Sequence, residues 1–141
     1  MNVHEVMHQA VRVPGHLSVS ETARVMDHHQ MDSVLVEHGT VVGIFTERDI
    51  LRKVVARDLD PASVKVSAMM SHPLLTIPSD AHVEDASVIM EQRHVRRLVV
   101  VERGAVIGIV SAACIAHNLK YITARRLMAS HFEAGSEEFG G

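Results

Sequence analysis

The chain has 141 residues, 47% of them apolar and 22% charged, with a formal charge of -3. That length can bury one compact core, or two half-size units that share one, but not two independent domains of ordinary size. The acidic balance, with Arg-Arg pairs only at 96–97 and 125–126 and with three Phe, one Tyr and no Trp, excludes the charge and stacking surfaces that nucleic-acid binders use.

No apolar run reaches the ~18 residues of a membrane span, so no membrane association is expected. The N-terminal MNVHEVMHQAVRV has no basic stretch leading into an apolar one and no small-residue cleavage site, from which a cytoplasmic location is expected. One cysteine, Cys114, cannot form an internal disulfide.

In chain order, a short apolar stretch from Val11 ends at Pro14, whose fixed ring angle stops the extended segment. Val19, Thr22, Ala23 and Met26 then recur at helical spacing, and Ser18 with Glu21 has the spacing of a capping box at the helix start. Two β-branched runs, SVLVE and TVVGIF, flank Gly39 and predict a hairpin, after which a second helix is expected to begin at Thr46. A polar linker follows, with Asp60-Pro61 as its turn. The grammar then repeats: an extended stretch from Leu74 to Pro78, a helix through Val83, Ala86, Ser87 and Met90, the runs LVVVE and AVIGIV about Gly104, and a helix from Ser111. After about residue 130 the polar, glycine-ended tail is expected to be disordered.

The two halves align at an offset of 64 early (Pro14 with Pro78, Met26 with Met90) and of 65 later (Glu37 with Glu102, Gly43 with Gly108), so one inserted residue relates them. The expected fold is mixed α/β (α+β): two tandem β-α-β-β-α repeats packed sheet to sheet with pseudo-twofold symmetry. Repeat 1 is placed at 1–60, a linker at 61–68, repeat 2 at 69–125, and a helix end with the tail at 126–141. The strands are so uniformly apolar that both faces of each sheet must be covered.

On these residues the sequence resembles a tandem pair of CBS domains, a Bateman module. The likeness rests on Met7 and Met70 before the first strands, the strand-ending prolines, the hairpins VLVEHGTVVGIFTERD and LVVVERGAVIGIVS, and the GxxTxxD pattern from Gly43 to Asp49. It implies a non-catalytic regulatory module that takes an adenine nucleotide, AMP, ADP or ATP, in a cleft between the repeats and signals to an unidentified effector protein in trans. It also implies a homodimer, for which Ile115, Leu119 and Ile122 offer an apolar seam at helical spacing. S-adenosylmethionine or NAD is an alternative ligand, and a ligand-free structural dimerisation module an alternative role.

The resemblance implies two clefts. In the first, Asp49 would accept hydrogen bonds from ribose hydroxyls, as an ionised carboxylate can. Thr46 would turn toward phosphate, Ile44 and Phe45 would line the base with Leu74 facing from the other repeat, and Arg96 and Arg97 would neutralise phosphate. The family usually has a proline two residues after that basic pair, where this chain has Val99. In the second cleft, lined on this pattern by Ala10, Met31, Asp32, Ser111 and Cys114, a thiol stands for the ribose acid and Met31-Asp32 for the basic pair. The second cleft is therefore expected to be degenerate, empty or open only to an uncharged adenosyl group.

Plainer readings stand beside these. Thr46 and Asp49 also fit a helix cap, T-x-x-D, and on a strand Arg96 and Arg97 would alternate in direction. Cys114 fits a small core position. Eleven histidines, among them His4, His8, His28 and His29, complete no recognisable ligand set, so no metal site is expected. No nucleophile with a base and no catalytic carboxylate pair is legible, so no enzymatic activity is expected.

Overall fold

The structure, a computed structural model, describes residues 1–120, 124 and 127–129. Each repeat builds a three-stranded mixed sheet. In repeat 1, β1 (Arg12–Pro14) pairs parallel with β2 (Ser33–His38), which pairs antiparallel with β3 (Thr40–Thr46). In repeat 2, β4 (Thr76–Pro78), β5 (Arg97–Glu102) and β6 (Ala105–Ser111) do the same. Helix α1 (Val3–Val6) precedes the first sheet, and α2 (Val19–His29) crosses from β1 to β2. Helix α3 (Glu47–Asp49) follows β3 and runs on through a π turn (Ile50–Val54) and a 3-10 turn (Val55–Arg57). Helix α4 (Val66–Met69) lies before β4, α5 (Val83–Arg93) crosses to β5, and α6 occupies 112–120.

The central strands β2 and β5 are buried on both faces because alternate residues enter different cores, while β1 and β4 bury only Val13 and Ile77. Val34 and Val36 point into a helix-side core with Val19, Met26 and Phe45, and Leu98 and Val100 into its counterpart with Val83, Ala86 and Met90. Leu35, Val99 and Ile109 form a third cluster drawn from both repeats, which is the seam where sheet meets sheet. The helix periodicity holds with one exception: Ser87 is exposed, and Ile89 packs on the core instead.

The chain ends of the two repeats cross over. Val3 and Val6 of α1 are buried in the core of repeat 2, and the Val3 N–H donates to Ala81 O at 2.8 Å. Val66 of α4, with Val64, Met69 and Met70, packs instead in the core of repeat 1. Each repeat is thus completed by the segment that precedes the other.

The inserted residue lies in the second hairpin turn. Pairing of His38 with Thr40 leaves Gly39 alone in the first turn, whereas Glu102 with Ala105 leaves Arg103 and Gly104, both at positive φ (51° and 77°). This corrects the alignment ahead of the turn. Gln30 and His94, both left-handed helix caps, are counterparts, and the Asp32 carbonyl accepts from Glu47 N–H as the Arg96 carbonyl accepts from Ala112 N–H. Asp32-Ser33, not Met31-Asp32, therefore stand opposite Arg96-Arg97.

A further correction concerns the expected seam. Ile115 is buried in the second core rather than exposed. Leu119 is exposed, while Ile122 and the tail expected after about residue 130 lie outside the described residues.

Candidate functional site

Two glycines let the linking segments approach the sheets. A Cβ on Gly43 would fall 2.3 Å from Met70 Sδ and 3.1 Å from the Ser71 carbonyl; one on Gly108 would fall 2.8 Å from the His8 carbonyl. With no side chain there, Ile44 and Ser71 exchange backbone hydrogen bonds of 3.1 and 2.8 Å, and Ile109 and His8 exchange bonds of 3.0 and 2.9 Å. These bridges bring residues of one repeat's approach segment to the last strand of the other hairpin.

Beside the first bridge is a cavity of about 390 Å³ between the repeats. Repeat 1 contributes Ile44, Thr46, Asp49, Arg48, Arg52 and Lys53. From the other side come Ser71, Pro73, Leu75, Val95, Arg96 and Arg97. The volume lies within the range of small-ligand pockets, and the walls combine apolar surface with convergent polar groups, as such sites require.

Asp49 is nearly buried, at 7% exposure, and well partnered. Its Oδ2 accepts from the Thr46 N–H at 3.0 Å while Thr46 Oγ1 accepts from the Asp49 N–H at 3.3 Å, so the capping box that the spacing allowed is formed. Its Oδ1 accepts from Ser71 Oγ at 3.1 Å and is paired with Lys53 Nζ at 3.0 Å. Lys53 also donates to the Met69 carbonyl at 2.9 Å, tying the helical segment to the linker. Thr46 Oγ1, 3.4 Å from Oδ2, makes a fourth partner, so about four lone-pair sites are all met and a ribose hydroxyl would take the place of one of them.

Of the residues expected at the first cleft, Ile44, Thr46, Asp49, Arg96 and Arg97 line this one cavity. Phe45 and Leu74 do not. Strand alternation turns Phe45, fully buried, into the helix-side core of repeat 1. Leu74 packs in the layer between the sheets, and its neighbours Pro73 and Leu75 line the cavity in its place. Val99, where a proline is usual, donates its N–H to the Leu75 carbonyl at 2.9 Å, a bond proline could not make.

Three cations of the wall, Arg48, Arg52 and Lys53, were missed by motif reading. The GxxTxxD pattern stops at Asp49, and only the helical spacing beyond it, with residues 48 and 52 four apart, could have signalled a basic face. Arg97 is held by an ion pair with Asp32 of the other repeat, so Asp32, expected in the second cleft, pairs with a residue of the first.

The second cleft keeps the same backbone with different chemistry. The Ser111 N–H points at Cys114 Sγ (3.0 Å) and the Cys114 N–H donates to Ser111 Oγ (3.1 Å), which reproduces the capping box with a thiol in place of the carboxylate. Cys114 is half-buried and packs against the second core. Ala10 lies in the layer between the sheets, the place Leu74 holds in the other half. Met31 and Asp32 line a separate hollow with Asp27 and Glu47. Ser33, opposite Arg97, is fully buried and its Oγ has no partner among the described residues. A thiol replaces the acid, Asp32 stands for Arg96 and Ser33 for Arg97, so these positions offer no cation to a phosphate. Among the described residues no cluster of three or more His, Cys, Asp or Glu could hold a metal ion, and no helix is long and apolar enough to cross a membrane.

The CBS domain profile matches residues 3–56 and again 66–121. The chain belongs to the CBS-domain family. CBS pairs are generally regulatory and ligand-binding, and proteins made of CBS domains alone are generally non-catalytic. The chain is 32% identical over 111 residues to the CBS domain-containing protein YhcV of Bacillus subtilis, covering 78% of this chain and 79% of that one. It is 30% identical over 110 residues to an uncharacterised protein of Methanocaldococcus jannaschii, covering 75% of this chain but 59% of that longer one. Among solved structures, a hexameric CBS-CP12 protein from bloom-forming cyanobacteria superposes with a TM-score of 0.78 at 27% identity, covering 82% of this CBS pair and 66% of that chain.

Proposed function

We propose that this CBS pair is a non-catalytic regulatory module that binds one adenine nucleotide per chain in the first cleft and relays occupancy to a partner protein in trans. The observation that carries the reading is the convergence in one cavity of a nearly buried carboxylate, Asp49, with arginines from both repeats. An acid that accepts from ribose hydroxyls, beside guanidiniums that take up phosphate, is a combination suited to a nucleotide. Ile44, Pro73, Leu75 and Val99 supply apolar surface for a base. The cleft joins both repeats, so a ligand in it can bias their relative placement, which is the two-state element that relay requires. The second cleft, without these charges, is assigned no anionic ligand.

Assembly into a homo-oligomer accords with the hexameric state named for the cyanobacterial CBS-CP12 protein and with exposed Leu51, Val55 and Leu119. A cytoplasmic location is consistent with a single cysteine and a nucleotide ligand. The reading is tested by thermal unfolding with AMP, ADP, ATP, NAD or S-adenosylmethionine added in turn. A ligand that binds the folded state raises the midpoint by mass action, and Asp49→Ala should abolish the rise. No rise with any of the five, alongside a stable dimer in sedimentation, would instead favour a ligand-free dimerisation module.

A further inference from the structure

The first cleft holds more positive charge than one phosphate can use. Five cationic side chains, Arg48, Arg52, Lys53, Arg96 and Arg97, share its wall with a single carboxylate, Asp49, in a chain whose formal charge is -3. Lys53 is matched by Asp49 and Arg97 by Asp32. Arg48, Arg52 and Arg96 have no acidic partner within ion-pair distance among the described residues. Arg48 and Arg52 are also four residues apart on one helical segment, an arrangement of like charges that costs stability unless an anion lies between them. Arg96 comes from the opposite repeat, so the unmatched charges span the cleft.

We infer that Arg48 and Arg52 form a second phosphate subsite facing Arg96, and that the cleft selects an adenine nucleotide carrying two or three phosphates over a monophosphate. This rests on the nucleotide reading above and extends it to residues outside the GxxTxxD pattern. A monophosphate beside Asp49 is satisfied by the arginine pair at 96–97; a longer phosphate chain reaches the guanidiniums of the helical segment, whose forked donors suit non-bridging oxygens. The same chain would draw the two repeats together, because its charges are met from both.

The test is calorimetric titration at fixed ionic strength with ATP, AMP, adenosine and inorganic tripolyphosphate, on the wild type and on Arg48→Ala and Arg52→Ala. Both arginines are exposed, so the variants are expected to fold, as circular dichroism would verify. The expected result is ATP binding about tenfold or more tighter than AMP, with each substitution weakening ATP and tripolyphosphate about fivefold and AMP less than about twofold. Equal affinity for ATP and AMP in the wild type, or equal loss of both in the variants, would overturn the inference. Arginine-dependent binding of tripolyphosphate without binding of any adenine compound would retain the phosphate subsite and overturn the nucleotide reading. No binding by any probe would overturn both.

Discussion

At the scale of single residues, the duplicated phrase GIFTERD and GIVSAAC uses one backbone device for two chemistries. Thr46 with Asp49 and Ser111 with Cys114 close the same capping geometry, but only the first leaves a charged acceptor in a cavity. Asp49 closes a cap, and the ligand role proposed for it separates from the cap experimentally. Thr46→Ala should cost about 1 kcal/mol of folding stability through the lost cap, read from urea unfolding. Asp32 offers a second residue-level test. It is more than half exposed and neutralises Arg97 through a surface ion pair, so Asp32→Asn should raise affinity for ATP by about two- to fivefold and leave adenosine unchanged. Unaltered ATP affinity would mean that Arg97 does not meet phosphate. A spaced motif drew the reading to Thr46 and Asp49 and the family resemblance drew it to the arginine pair, and the structure places all four on one cavity wall. The sequence concealed the ion pair of Asp32, which joins residues 65 apart, and the basic face of Arg48 and Arg52, which has no motif. Phe45 and Leu74 were misplaced for another reason: each occupies the right segment, but strand and loop parity, which sequence proximity does not report, turns it away.

Elements and their joins are where the repeat was most legible. Prolines, apolar periodicity and the Ser18–Glu21 box located strands and helices, since each is a local signal. The register of the two halves was less legible, because an insertion in a turn leaves no trace in apolar pattern. The strand pairing fixes it, with one residue in the first turn and two in the second. Gly43 and Met70, separate marks of the resemblance in sequence, meet in the fold, where a Cβ on the glycine would take the space of the methionine side chain. Gly43→Ala should destabilise the fold by about 1–3 kcal/mol, as overpacking does, measured by urea unfolding; a negligible loss would show that Met70 has room to move. Two local carboxylates predict acid sensitivity. The Ser18 backbone N–H, and then the Ser18 side chain, hold the Glu21 carboxyl below its ordinary value; the Ala62 N–H, and then the Ser63 hydroxyl, do the same for Asp60 at the linker turn. Each folded group titrates below its unfolded counterpart, so its contribution is complete above the unfolded pKa and is lost as pH falls through the folded one. Glu21→Gln and Asp60→Asn should therefore lower the urea midpoint at neutral pH, with the difference from wild type disappearing in acid.

For the whole molecule, sheet-to-sheet packing could be anticipated because neither repeat can cover its own apolar strands. The exchange of α1 and α4 between the cores could not, since Val3 and Val66 look alike in sequence and only tertiary contacts say which core each joins. The exchange implies that repeat 2 alone, residues 69–125, is unstable, and that supplying residues 1–10 in the same chain restores cooperative unfolding. A repeat 2 fragment that unfolds cooperatively without them would contradict it. It also makes the two repeats one unit, so a cleft between them can transmit occupancy to the whole surface. In the proposed function one nucleotide cleft, organised around Asp49, governs this surface and the thiol-bearing cleft is silent. The calorimetric stoichiometry of ATP on the wild type, Asp49→Ala and Cys114→Ala tests this. One ATP per chain is expected, with a loss of about 1.5–3 kcal/mol in binding for Asp49→Ala and no material change for Cys114→Ala. Two ATP per chain, or equal losses from the two substitutions, would contradict it.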